Sequence, residues 1–241
     1  LTQRFNYVDE RLSEYAEELN TRMSNMTDDI NALASDIAQL NESIASASSG
    51  SRGAPNDLLD RRDQAITDLS KLVAIQTNGQ ENGAINVSIG KGQRLVIGNS
   101  AEQLRMVLPA AQDGPVELYL SVPSGSESEV TSKLTGGELG GALDAGARLI
   151  NNTRRDVGLL AAGIVGTFNA QHASGDDLSG QPGEAFFEPL DVAVTGTRTN
   201  SGQSTITATI LDVGELTGDG FSVAYEEAGI RLTNLRTGTS E

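Results

Sequence analysis

Residues 5–44 read FNYVDERLSEYAEELNTRMSNMTDDINALASDIAQLNESI. Phe5, Val8, Leu12, Tyr15, Leu19, Met23, Met26, Ile30, Leu33, Ile37, Leu40 and Ile44 recur at steps of three and four. That rhythm holds one apolar stripe on one side of an α-helix. It slips once, between Leu19 and Met23, where two four-residue steps follow each other and Arg22 takes the place a strict heptad gives to an apolar residue. A local eleven-residue phase relaxes left-handed supercoiling without ending the helix. Neither proline nor glycine occurs before Gly50. The predicted helix of about 40 residues is roughly 60 Å long at 1.5 Å per residue. Such a rod spans distance and packs lengthwise against other helices.

Outward from that helix, residues 46–53 are Ser- and Gly-rich and read as a linker. Pro55, Asn56 and Asp57 then supply helix-start chemistry. A second helix follows, with Leu58, Leu59, Ile66, Leu69, Leu72 and Val73 inward. From Asn78 the period becomes two. Ile85, Val87 and Ile89 alternate with polar residues, Gly90-Lys91-Gly92 turns the chain, and Leu95 and Ile97 alternate back. Residues 104–108 and 116–122 read as further strands, and 124–129 as a polar tip. A third helix opens with Thr135 and Glu138 as a capping box and Leu134 and Leu139 as a staple. It is predicted to run about 36 residues with Leu143, Ile150, Val157, Leu160, Ile164 and Phe168 inward. Its many glycines require close helix–helix approach to hold it. After Pro182 the chain turns Thr-, Gly- and Val-rich, with short strands predicted at 192–194, 205–211, 221–225 and 230–233.

The predicted class is α+β. An elongated antiparallel helical bundle, 1–187, carries a small β-hairpin/sheet appendage at about 84–122. A β-rich outer lobe, 188–241, follows and is expected to be incomplete. The predicted bundle core holds Leu33, Ile37, Leu40, Leu69, Leu143, Ile150, Leu160, Ile164 and Phe168. Gly175, Gly180, Pro182 and Gly183 form a predicted hinge between rod and lobe. Phe186 and Phe187 come next and are too apolar for a free linker, so docking of at least one is expected.

Composition points away from catalysis. Aromatics are 4% of the 241 residues and there is no Cys, which excludes disulfides, thiolate metal sites and a cysteine nucleophile. A net charge of −16 argues against nucleic acid, because a binder needs Lys and Arg against phosphates. The strongest apolar run, 159–166, is too short to span a bilayer. Leu1 is not an initiator Met and opens directly into the helical pattern, so a fragment of a longer protein is expected. His172 is the only histidine, with Asp176 and Asp177 nearby; a polar helix terminus explains all three. Aligning Gly180 with the invariant glycine of an EF-hand puts Gly175 first and Phe186 last, and the calcium reading fails. Gly90-Lys91-Gly92 lacks the pattern of a phosphate loop. Arg61, Arg62 and Asp63 read as a solvated charge cluster. No catalytic, cofactor or metal residues are assigned.

Residues 168–187, FNAQHASGDDLSGQPGEAFF, join a helix end to a glycine loop and an aromatic pair. This resembles the signature of the flagellar hook-associated protein 1 family. Three further blocks match in order: NDLLDRRD at 56–63, INVSIG at 85–90 and GGELGGALD at 136–144. The resemblance implies a structural, non-enzymatic subunit of the bacterial flagellum, forming the junction between hook and filament and matching two lattices. It implies export through the flagellar type III pathway without a cleaved signal peptide, and an extracellular location. The implied partners are copies of itself in a junction ring, hook protein, the second hook–filament junction protein and an export chaperone acting on segments outside this stretch. The terminal coiled-coil helices of the family lie outside it too. Two other readings share the residues. One is a secreted coiled-coil adhesin with a β binding lobe, distinguished by ligand recognition at 188–241. The other is a hydrolase using His172, which needs a hydroxyl nucleophile close by in space.

Overall fold

The computed structural model describes residues 1–48, 55–108, 116–121, 125–188, 190–192, 194, 196, 205–226 and 229–241. Most of the predicted linker at 46–53 lies outside the described residues. Helix α1 runs Thr2–Ser48 and α2 runs Asn56–Leu72. Among the described residues the strands β1 Ile75–Gly79, β2 Ile85–Ile89, β3 Gln93–Ile97, β4 Ser100–Ala101, β5 Gln103–Val107, β6 Glu117–Ser121 and β7 Glu127–Glu129 follow. Then come α3 (Gly137–Ala145), a π-helical stretch (Gly146–Asn151), α4 (Asn152–Ala173), and the hairpin β8 (Phe221–Glu226) and β9 (Gly229–Asn234). The α+β class of a helical bundle with an antiparallel β region holds. The chain forms two compact units, Glu10–Ile150, and Leu1–Asp9 with Asn151–Glu241. The division does not fall at 187/188, because residues after the glycine loop pack back on α4.

In the first unit the β region is part of the core. Antiparallel sheets β1-β2-β3-β4 and β5-β6-β7 bury Val87, Ile89, Leu95, Val96, Leu104, Leu118 and Leu120 in one cluster with Met23, Met26, Ile30, Ala34, Ile37, Leu69 and Leu139. Period two in the strands and 3.6 in α1 each supply one apolar face, and the two faces meet. Ile37 and Leu69 are fully buried; Leu33, Leu40, Leu143 and Ile150 are half-buried.

Two asparagines on α1 fasten the sheets to it. Asn31 donates to the Leu104 carbonyl at 2.7 Å and accepts from the Leu104 N–H at 2.8 Å. Asn41 donates to the carbonyls of Ile85 and Gly98 at 2.8 and 2.7 Å and accepts from the Ile85 N–H at 3.0 Å. Each satisfies backbone groups that would otherwise be buried without partners. Arg62, expected on a solvated face, is buried and donates to the Gly83 carbonyl at 2.7 Å, holding the 80–84 turn over α2.

Several local expectations are corrected. The tip at 124–129 contains β7, whose Glu127 pairs with Arg105 of β5 at 2.6 Å. Thr135 does not cap α3. The cap is Gly136 in left-handed backbone, and Glu138 instead reaches Arg22 at 3.0 Å. Gly136 and Gly137 both have positive φ (71° and 64°), and a Cβ on Gly137 would meet the Leu72 carbonyl at 2.6 Å. These two residues therefore let α3 start hard against the end of α2. Further along, Gly146 approaches Leu19 of α1, whereas Gly141, Gly158 and Gly163 face open space.

Gly90 sits in a tight turn, with φ +53° and its N–H donating to the Ala74 carbonyl at 2.8 Å. A Cβ there would strike the Lys133 carbonyl oxygen. Gly90→Ala is expected to cost at least about 2 kcal/mol, combining left-handed strain with an overpacked backbone contact. Gly92→Ala, with φ +96° but open space around it, carries the strain alone. Equal urea midpoints for the two variants would show that the Lys133 contact is harmless.

In the second unit α4 is the backbone. Val213 packs within 3.1–3.2 Å of where a Gly166 Cβ would stand, and Gly218 lies against Arg155 and Leu159. Asp9 approaches Arg154 at 3.7 Å. Leu160 and Phe168, expected inside, are 60% and 56% exposed, while Ala161 and Asn169 beside them are half-buried; Ile164 is half-buried. Downstream of the π-helical stretch the predicted phase therefore holds at Val157 and Ile164 and fails at Leu160 and Phe168. The predicted strand at 205–211 is irregular, and so are Val192 and Val194; Ala193 lies outside the described residues.

The hairpin is locked at its base by Asp219, whose side chain is 2% exposed. Arg236 donates from Nε and from Nη2, the latter at 2.9 Å, and Asn234 donates at 2.8 Å. The Arg236 guanidinium first, and then Asn234, hold the Asp219 carboxyl well below the usual carboxylate range. A pKa depressed in the folded state contributes stability that is complete above about pH 4 and is lost as pH falls through the folded value. Amide signals of β8 and β9 should therefore weaken on acidification below about pH 4. In Asp219→Asn they should be weak already at neutral pH and unresponsive over that range; an identical pH course would remove Asp219 as the lock.

Candidate functional site

The motif at 168–187 folds as one object. Helix α4 ends at Ala173, and residues 175–183 close a tight loop. The Gly183 N–H donates to the Gly175 carbonyl and the Asp177 N–H to the Gln181 carbonyl, both at 2.7 Å, and Asp176 bridges Pro182 across the loop. Asp177 Oδ1 accepts the N–H groups of Ser179 and Gln181 at 2.7 and 2.8 Å, fixing the turn from inside. Gly180 takes φ +77°, where a glycine is favoured. At Gly183 a Cβ would strike the His172 carbonyl oxygen, so only glycine lets the returning chain lie on the helix end.

The aromatic pair then seats on α4. Phe187 meets Phe168 edge-on with ring centres 5.9 Å apart, Phe186 lies 6.4 Å from Phe168, and Phe186 and Phe187 are T-shaped at 4.9 Å. Such geometries add about 0.5–1.5 kcal/mol per pair beyond burial. Asn169 fixes the register: its Oδ1 accepts the Phe187 N–H at 2.8 Å and its Nδ2 donates to the Phe187 carbonyl at 2.9 Å. His172 lies 5.8 Å from the Phe186 ring, its Nδ1 placed to donate to the Glu184 carbonyl. Gly175, Gly180, Pro182, Gly183, Phe186 and Phe187 are thus gathered at one helix end. Asn169 completes the set. The sequence displayed it inside the motif, but nothing marked it as the residue that pairs with the returning backbone.

His172 is engaged in this packing. Among the described residues, no group of His, Asp and Glu is placed to hold a metal, and no helix is long and apolar enough to cross a membrane. What the arrangement does is mechanical: it ties the chain leaving α4 back onto the helix.

Residues 1–187 match the family model described as the flagellar hook-associated protein FlgK helical domain. The chain is 30% identical over 242 residues to flagellar hook-associated protein 1 of Escherichia coli K12, covering all of this chain and 44% of that protein. The Bacillus subtilis protein of the same name is 23% identical over 264 residues, covering 97% of this chain and 51% of the relative. Among solved structures, the flagellar hook junction protein FlgK from Burkholderia pseudomallei superposes with a TM-score of 0.87 at 32% identity, covering all of this chain and 44% of that one. The chain thus spans about half the length, or less, of these relatives. With a family model matching residues 1–187 and the fold shared along its length, the chain belongs to the flagellar hook-associated protein FlgK family.

Proposed function

We propose that this chain is a structural element of the bacterial flagellum, part of the junction that joins hook to filament and reconciles their two lattices. The family's helical domain across residues 1–187 carries this reading. The chain acts outside the cell after export without a cleaved signal peptide. It meets further copies of itself in a ring, hook protein on one side and the second junction protein on the other, with an export chaperone engaging segments beyond those described. Its role is non-enzymatic, and the family match does not favour the adhesin reading. The glycine loop and its aromatic pair serve as a short, clamped connector between α4 and the residues that follow it. A connector of that kind carries torque while limiting the paths open to the chain after α4.

Electron microscopy of a strain lacking the gene tests the reading. Hooks should persist without attached filaments, and the restored full-length gene should return them. Normal filaments on the deletion strain would sink the proposal.

A further inference from the structure

The hairpin β8–β9 pairs from Phe221 opposite Asn234 to Glu226 opposite Gly229. Opposed residues share a face and alternate along each strand. Phe221, Val223, Tyr225, Ile230 and Leu232 therefore form one apolar face, and all five are 39–84% exposed. The other face carries Ser222, Thr233, Ala224, Arg231 and Glu226, with Arg231 and Glu226 ion-paired at 2.7 Å. A two-stranded hairpin is marginal by itself, and a one-sided apolar patch of this kind marks a surface meant to be covered.

The outer edge of β9 already shows what comes next. Leu232 donates its N–H to the Glu241 carbonyl and accepts from the Glu241 N–H, both at 2.9 Å. Thr233 bridges Ser240, and the Asn234 N–H reaches the Thr239 carbonyl at 2.9 Å. Residues 239–241 thus run antiparallel beside β9 after a turn at 235–238. Relatives extend to more than twice this length, since the chain spans 44% of the Escherichia coli protein.

We propose that β9 is an inner strand. Residues following Glu241 in the natural chain continue from 239–241 as a third antiparallel strand, and they lead into the layer that covers the apolar face. The register is set by Leu232 opposite Glu241: the next residue lies opposite Arg231, and the second opposite Ile230 on the apolar face. Because β9 points its Leu232 N–H outward, alternation sends the Ile230 N–H outward as well, toward that second residue. The inference rests on family membership and the hydrogen bonds at 232–241, independently of the junction role.

Hydrogen exchange on the natural-length protein tests it. The Ile230 amide should exchange at least about tenfold more slowly than in an unprotected peptide, at every protein concentration. Exchange at the unprotected rate would overturn the third strand. Protection that vanishes on dilution would assign the edge to a second copy and overturn it equally. Residues 1–241 contain no cysteine, so Tyr225→Cys, with its alkylation followed on the peptide that carries it, reads out the covering layer. Its alkylation should be slowed at least about tenfold in the natural-length protein relative to the 241-residue chain, whereas Ser222→Cys should react alike in both; equal rates for Tyr225→Cys would overturn the covered face.

Discussion

Ile37→Asp should destabilise the Glu10–Ile150 unit by about 3–5 kcal/mol, the scale of an uncompensated buried charge. Ile37 is fully buried on the face of α1 that shares its core with both sheets. Its neighbours along that face, Ala34 and Ala38, are small and offer no hydrogen-bond donor to a carboxylate. The introduced carboxyl escapes part of the penalty by taking up a proton. Its folded-state pKa is then raised, so the deficit relative to the parent is smallest in acid and grows as pH rises through about 4 and beyond. Leu160→Asp is the matched control. Leu160 belongs to the stripe read from the sequence yet stands 60% exposed on α4, so its substitution should cost less than about 1 kcal/mol. Urea midpoints for both variants at pH 5 and pH 7 decide the matter. A cost below about 1 kcal/mol at Ile37, or equal costs at both positions, would mean that the sheets do not close over α1 as described.

That contrast locates what was legible. The stripe of α1 was readable because forty uninterrupted residues repeat one period, and the burial of Met23, Met26, Ile30, Ile37 and Ile44 follows it. The third helix was readable as a helix but only partly in phase: Val157 and Ile164 are half-buried as read, whereas Leu160 and Phe168 are exposed, and nothing in residues 146–151 announces the π turn that precedes them. The strands from 85 to 121 were visible through their alternation, whereas β7 was not: Glu127 and Glu129 look like a solvated tip until Arg105 is brought opposite Glu127. Asn31, Asn41 and Arg62 were the least legible. Their partners are backbone groups 21 to 73 residues away, the nearest being Gly83 for Arg62 and the farthest Leu104 for Asn31. A polar side chain on a helix gives no hint that a distant strand will need it. The motif at 168–187 was legible as a unit because its glycines, proline and aromatic pair have separate physical reasons to sit together.

Replacing Phe186 and Phe187 together by Ser should free the loop from α4 while leaving the Glu10–Ile150 unit intact. The substitution removes the ring contacts to Phe168 and the T-shaped pair between the two rings. Phe186 is largely exposed and Phe187 half-buried, so full burial values do not apply. Aromatic pairing and partial burial together put the local loss at about 2–3 kcal/mol. That raises the open fraction of the segment about 30–150-fold, at tenfold per 1.4 kcal/mol. Limited proteolysis between 175 and 190 should accelerate accordingly, with global urea unfolding of the Glu10–Ile150 unit unchanged. Asn169→Ala should reproduce part of the effect, because it removes both hydrogen bonds to Phe187 without touching a ring. Leu178→Ser, on a fully exposed side chain in the same loop, should change nothing. If the clamp serves a junction under torque, cells carrying the double variant export the subunit normally yet swim poorly, and the defect deepens in viscous medium where the load is greater. Unchanged nicking would show that the rings clamp nothing, and rapid nicking with normal swimming under load would show that the clamp is real but has no part in transmitting torque.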